Sequence, residues 1–219
     1  MRKLVGSSVL VGAAAVGAIV LSSQAAFAAG WTVSNSNASG SFTVGLKSGT
    51  TVTFKDVTTN QTFTCSASTI NGTAPSGSGL ANPVANIGSG TFSTCTGPLS
   101  STGTASITSG GLNAVSYNAT TGTVSGNISG INATLTIKSI LGTCNGTVAG
   151  NVGTANNDTF ANSTGTLTVP ADAAPQQLKI TGTTGTCLGL IKANDLVTFA
   201  ATYVVSSPTP PGLSITPTP

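Results

Sequence analysis

The run from Leu196 to Val205 constrains this chain most, because it is an unbroken stretch of apolar and threonine side chains. Side chains on a strand alternate with a period of two. Val197, Phe199, Ala201, Tyr203 and Val205 therefore share one face, and Leu196, Thr198, Ala200, Thr202 and Val204 share the other. The first face is the expected core face. Cys187 sits just upstream, placed to tie this strand to the rest.

The same grammar recurs along the chain. Trp31-Thr32-Val33 opens the fold, with the Trp31 ring expected to pack on the sheet. Phe42, Val44 and Leu46 alternate, Gly49 breaks the run, and Val52 and Phe54 resume it. A turn over Asp56 to Asn60 leads to Phe63 and Cys65. Asn71 to Ser89, with Pro75, Pro83 and several glycines, reads as loop-rich. From Thr91 to Val169 short extended runs follow one another, separated or interrupted at Gly110-Gly111, Gly122, Gly130 and Gly142. Ala171 to Gln177 holds Pro175 and supports no more than a turn. Nowhere after the leader do apolar residues recur at helical spacing over three turns. The expected fold class is all-β: an immunoglobulin-like or related antiparallel β-sandwich, with a closed β-barrel as the alternative.

Three segments are expected. Residues 1–28 read as a secretory signal peptide: Arg2 and Lys3, then an apolar run from Leu4 to Leu21, then Ala26-Phe27-Ala28 with cleavage after Ala28. An uncleaved membrane anchor is the alternative, against which the polar break at Ser22 to Gln24 argues. The leader is of the type used in bacterial Sec export. Residues 29–206 are expected to form a single β-sandwich domain. Residues 207–219, SPTPPGLSITPTP, carry five prolines and no charge, and are expected to be a disordered tail. No transmembrane helix is expected after cleavage.

Four cysteines remain, Cys65, Cys95, Cys144 and Cys187. An even count in an exported chain implies two disulfides, for which three connectivities exist. Cys65–Cys95 with Cys144–Cys187 is favoured, because sequential elements of a β domain tend to be neighbours. A weak internal similarity runs through two of them. Leu135-x-Ile137 leads to Gly142-Thr143-Cys144, and Leu178-x-Ile180 leads to Gly185-Thr186-Cys187.

The charge inventory excludes more than it suggests. After the leader there are five lysines, four aspartates, and no Arg, Glu or His, for a net charge of +1. This offers neither a footprint for nucleic acid nor a polybasic patch for anionic lipid. Without histidine there is no Ser-His-Asp triad. The four aspartates are scattered in sequence, so a carboxylate pair requires them to converge in space. The cysteines are not spaced as CxxC, so zinc is not expected. Asn156-Asn157-Asp158 carries oxygens of the kind calcium accepts, but reads first as a turn. No catalytic, cofactor-binding or metal site is expected.

The block from Cys187 to Pro208 resembles the C-terminal signature of small secreted proteins common in actinobacteria. Those carry a Cys, a Gly-Asp pair, Thr-Phe-x-Ala-Thr-Tyr and a Ser-Pro ending. Here the stretch reads Asn194-Asp195-Leu196-Val197-Thr198-Phe199-Ala200-Ala201-Thr202-Tyr203, with Asn194 where that group has Gly. Phe92 to Leu99 and Asn162 to Val169 are similar to theirs as well. The resemblance implies secretion and an all-β fold, and no activity. The expected function is a non-catalytic structural or interaction role, secreted or associated with the cell envelope. A binding module for an apolar small molecule or lipid is the alternative. An outer-membrane barrel is a more distant one, since only Leu196 to Val205 is long enough for it. The partner expected is accordingly a cell-envelope component or an apolar ligand.

Overall fold

A computed structural model describes residues 30–210 and 212–219. The leader and its cleavage site at Ala28 lie outside the described residues.

Alternating sequence becomes strand almost everywhere. The elements are β1 (Trp31–Asn35), β2 (Ser41–Leu46), β3 (Val52–Asp56), β4 (Gln61–Thr73), β5 (Gly77–Leu80), β6 (Ala85–Thr96) and β7 (Thr102–Asn118). They continue with β8 (Thr123–Ser139), β9 (Gly142–Val152), β10 (Asp158–Ala161), β11 (Thr166–Val169), β12 (Leu178–Gly185), β13 (Leu196–Ser207) and β14 (Leu213–Pro217). One 3-10 turn, Pro98–Ser100, interrupts them. Strand makes up 65% of the structure and helix 2%, so the all-β expectation holds.

The antiparallel sheets pack in a sandwich-like arrangement. Consecutive strands are neighbours through β6, β7, β8 and β9, as in a meander. The hydrogen-bonded path of the larger sheet also returns on itself. One flank of β13 pairs with β12 and then β11, and its other flank with β3 and then β2. β3 and β2 in turn share one flank of β4. The interior lies inside this circuit, and the expected core face of β13 points into it: Val197, Phe199, Ala201, Tyr203 and Val205 are all buried. Phe54, Phe92 and Phe199 meet there with ring centroids 5.1–6.0 Å apart. The Tyr203 hydroxyl meets Ser68 Oγ at 3.2 Å.

Both favoured disulfides are present. Cys65 and Cys95 face each other in register on β4 and β6, with Cα atoms 3.9 Å apart. Cys144 on β9 joins Cys187 just past β12, with Cα atoms 4.6 Å apart. The similar segments ending at Cys144 and Cys187 thus place their glycine-flanked cysteines against each other. Gly142 and Gly185 both adopt positive φ at these bends.

Three expectations change. Residues 71–89 are mostly strand: β4 runs on to Thr73 and pairs with β6 across a bulge at Asn71/Gly72. Gly72 does not mark a loop; a Cβ there would strike the Asn86 carbonyl oxygen of the neighbouring strand. Gly130 likewise does not divide two strands, because β8 passes through it as a bulge with φ +64°. A single positive-φ residue lets a strand bend without ending.

The third change concerns the tail. Within the expected disordered tail, residues 207–219, the described residues are ordered: β13 runs to Ser207 and β14 spans Leu213–Pro217. Leu213 and Ile215 alternate as a strand's buried face would, at 5% and 1% exposure. Their strand, β14, pairs antiparallel with β1, which pairs in turn with β5. Asn162 clamps β14 by accepting from the Ile215 N–H at 2.9 Å and donating to its carbonyl at 2.8 Å. Proline is tolerated at the edge of a sheet, so a proline-rich segment can still pair. This three-stranded sheet closes one end of the interior.

Candidate functional site

Four structural features bear on function.

The first is the interior itself. Two apolar cavities lie within the circuit, of about 80 Å³ and 60 Å³. The larger is walled by Phe54, Phe92, Leu135, Ile180, Ile191 and Val197, with Asp56 at its margin. The smaller lies among Phe42, Phe160, Val169, Leu213 and Ile215, so the tail strand forms part of its wall. Ile107, Ile131 and Phe199 touch both.

The second is one end of the molecule. The connections at residues 57–60, 97–101, 140–141 and 186–195 all emerge there, as the registers Asp56↔Gln61, Thr96↔Thr102, Thr102↔Lys138 and Lys138↔Thr143 require. Among the described residues the exposed large apolar side chains are Leu99, Val115, Ile140, Leu141 and Leu188, and all but Val115 lie on these connections. Ile140 is 93% exposed and Leu99 65%. Strands are spaced ~4.8 Å apart, so the tips bearing Leu99 and Ile140 stand about 10 Å from each other. Thr186 N–H donates to the Thr143 carbonyl at 2.9 Å, which brings the Leu188 loop beside the Ile140 tip. Lys138 and Lys192 are exposed on the same connections or next to them.

The third and fourth features are the aspartates, which do converge. Asp56, Asp158, Asp172 and Asp195 are 3%, 2%, 7% and 6% exposed, so every side-chain carboxylate of the described residues is buried while the lysines lie exposed or half-exposed. The outer surface is therefore more cationic than a net charge of +1 suggests.

Asp56 and Asp195 form the first pair. Asp56 Oδ1 accepts from the Thr58 and Thr59 N–H groups, each at 2.9 Å, and holds the β3–β4 turn. Asp195 Oδ2 accepts from the Lys192 N–H at 2.8 Å and holds the turn before β13. Asp56 Oδ2 is buried without a donor and faces the Asp195 carboxylate. Burial pushes the Asp56 carboxyl above its ordinary range; the turn N–H groups pull it back in part, and Asp195 adds to the rise. Two facing acceptors are compatible when one of them carries a proton.

Asp158 and Asp172 form the second pair, at the join where β9 gives way to β10. Burial pushes the Asp158 carboxyl up to about 7, and the charge of Asp172 adds to it. Asp172 accepts from the Gly153 N–H at 3.0 Å and the Thr154 N–H at 3.1 Å.

No family model, no characterised protein and no solved structure matches this chain.

Sequence reading found the cysteines and the β13 core face. It missed the aspartate pairs, one joined across most of the chain and one across the β10–β11 hairpin, and the gathering of Leu99, Ile140, Leu141 and Leu188. The one available signal for the second pair was Asn156-Asn157-Asp158. The signal for the apolar end was the presence of Ile-Leu and Leu residues within turns. Two disulfides fit an oxidising, extracellular setting. Among the described residues no helix is long and apolar enough to cross a membrane.

Proposed function

We propose that this chain is an exported, non-catalytic β scaffold that works by contact, with its apolar loop end as the contact face. The observation that carries this reading is the concentration of Leu99, Ile140, Leu141 and Leu188 on connections at one end. Exposed apolar groups clustered on loops mark interaction surfaces, whereas isolated ones are ordinary. With Lys138 and Lys192 beside them and no exposed side-chain carboxylate among the described residues, the complementary partner is an apolar, anionic component of the cell envelope. The non-catalytic part rests on residue types. His, Glu and Arg do not occur after the leader, and three of the four aspartates accept backbone N–H groups of turns or loops.

The test is the distribution of the exported protein between envelope and medium. The wild type should sediment with the envelope. Replacing Leu99, Ile140, Leu141 and Leu188 together by serine should shift it into the medium by at least about tenfold, since each exposed leucine or isoleucine offers ~1.5–3 kcal/mol of burial. Equal distribution of the two proteins would refute the assignment.

The interior supports a second, narrower reading as a small apolar binding site. Each cavity is smaller than the ~150 Å³ engineered cavity that accepts benzene. An acyl chain therefore does not fit without opening the circuit, and any ligand must be very small. Native mass spectrometry of the exported protein should show a persistent small adduct, and its absence would remove this reading.

The outer-membrane alternative is disfavoured by the faces of the strands. β7 and β8 are 17 residues each, longer than the sequence suggested. Exposed positions on them include Thr102, Thr104, Ser106, Thr108, Asn132 and Thr134, while the large apolar residues other than Val115 are buried or half-buried. A membrane barrel requires the reverse.

A further inference from the structure

The join between β9 and β10 holds more unsatisfied oxygen than a folded protein ordinarily tolerates. Asp158 is 2% exposed, and neither of its carboxylate oxygens has a partner at full hydrogen-bond geometry; the Ile128 N–H is the one donor that acts on it. The side-chain oxygen of the preceding residue, Asn157, is also buried without a partner. Asp172 is 7% exposed and lies close enough for its charge to act on Asp158. Both carboxylates crowd Gly153. Asp172 accepts from its N–H at 3.0 Å, and Asp158 Oδ1 stands 2.9 Å from where a Cβ would be. Gly153 has φ +73°, so glycine is required here for both space and backbone. Buried polar groups are almost always paired, and a lone buried carboxylate is costly.

A proton relieves part of this. It neutralises Asp158, but Asn157 Oδ1 still has no donor. One cation satisfies all three oxygens and offsets the charge of Asp172 as well. The donors are oxygens only, which selects a hard cation. We infer that Asp158, Asp172 and Asn157 form a calcium site that fastens the 153–157 connection to the segment after β11. With two carboxylates, its affinity belongs with the weak extracellular sites, with Kd of ~10⁻⁴–10⁻³ M.

The test is thermal unfolding of the purified full chain in calcium chloride and in EDTA, with equilibrium dialysis of calcium alongside. At a hundredfold excess over Kd, calcium should raise Tm by about 5–10 °C for a chain this size. Dialysis should give one calcium per chain. Asp158→Asn and Asp172→Asn should each abolish the rise, while Asp56→Asn leaves it intact. If the first two variants do not fold, Asn157→Asp decides, because an added carboxylate should tighten dialysis binding. The site is overturned by no binding to the wild type up to about 10 mM calcium, well above the expected Kd. It is also overturned by a rise that survives Asp158→Asn, or by an Asn157→Asp protein that binds no more tightly.

Discussion

Ile215→Ala tests whether the proline-rich C-terminal segment is part of the core. Ile215 is 1% exposed, sits opposite Val33 in the β1–β14 pairing, and forms part of the wall of the 60 Å³ cavity. Truncation to alanine removes three buried carbons, worth ~0.8 kcal/mol each in transfer, or roughly 2.4 kcal/mol. A cavity term adds to this, because the new space opens onto an existing void and the walls cannot close over it. The expected cost is about 3–4 kcal/mol, inside the usual 2–5 kcal/mol range for such changes. For a domain of this length that lowers Tm by roughly 6–15 °C. Ser214→Ala, one position away on the opposite face, is the control and should stay within about 0.5 kcal/mol of wild type. The assay is thermal unfolding followed by far-UV circular dichroism and calorimetry. If the tail were frayed, both variants would melt with the wild type within about 2 °C, and the assignment of β14 to the core would be wrong.

Asp56→Asn probes the first aspartate pair. The raised Asp56 pKa means that the fold favours the protonated carboxyl, so its stabilising contribution is present at low pH and lost as pH rises through the folded pKa. Asparagine mimics that protonated form: its Oδ1 keeps the Thr58 and Thr59 bonds, and its amide can donate to Asp195. The variant should melt above wild type at pH 8 and close to it at pH 4; a larger deficit at pH 8 than at pH 4 contradicts the pairing. Removing one disulfide as Cys144→Ala/Cys187→Ala releases a loop of sequence separation 43 and should cost roughly 4 kcal/mol on the loop-entropy estimate. Urea unfolding measures it, and a loss below about 1 kcal/mol would mean the bridge adds little to the surrounding β9–β12 pairing.

Some of this was legible without coordinates. Period-two alternation is a local property, so the inward face of β13 could be read directly from Val197 to Val205. The disulfide pairing was legible because β4 and β6 are near neighbours in sequence, and so are β9 and β12. The tail was misread because its proline content masked Leu213 and Ile215, which differ from any other alternating pair only in having β1 to pair with. Glycines at 72 and 130 were misread because a bulge and a turn ask for the same residue, and only the partner strand distinguishes them.

The chain by itself determined that the protein is built of strands, cross-linked by its cysteines, and poor in reactive side chains. Tertiary structure alone decided which distant residues meet. Asp56 reaches Asp195 because β3 pairs with β13, and Asp158 reaches Asp172 because the β10–β11 hairpin folds the chain back on itself. The shared register of β6, β7, β8, β9 and β12 sends Leu99, Ile140, Leu141 and Leu188 to a common end. Strand patterning depends on neighbours two residues away, whereas these encounters depend on the path of the whole sheet.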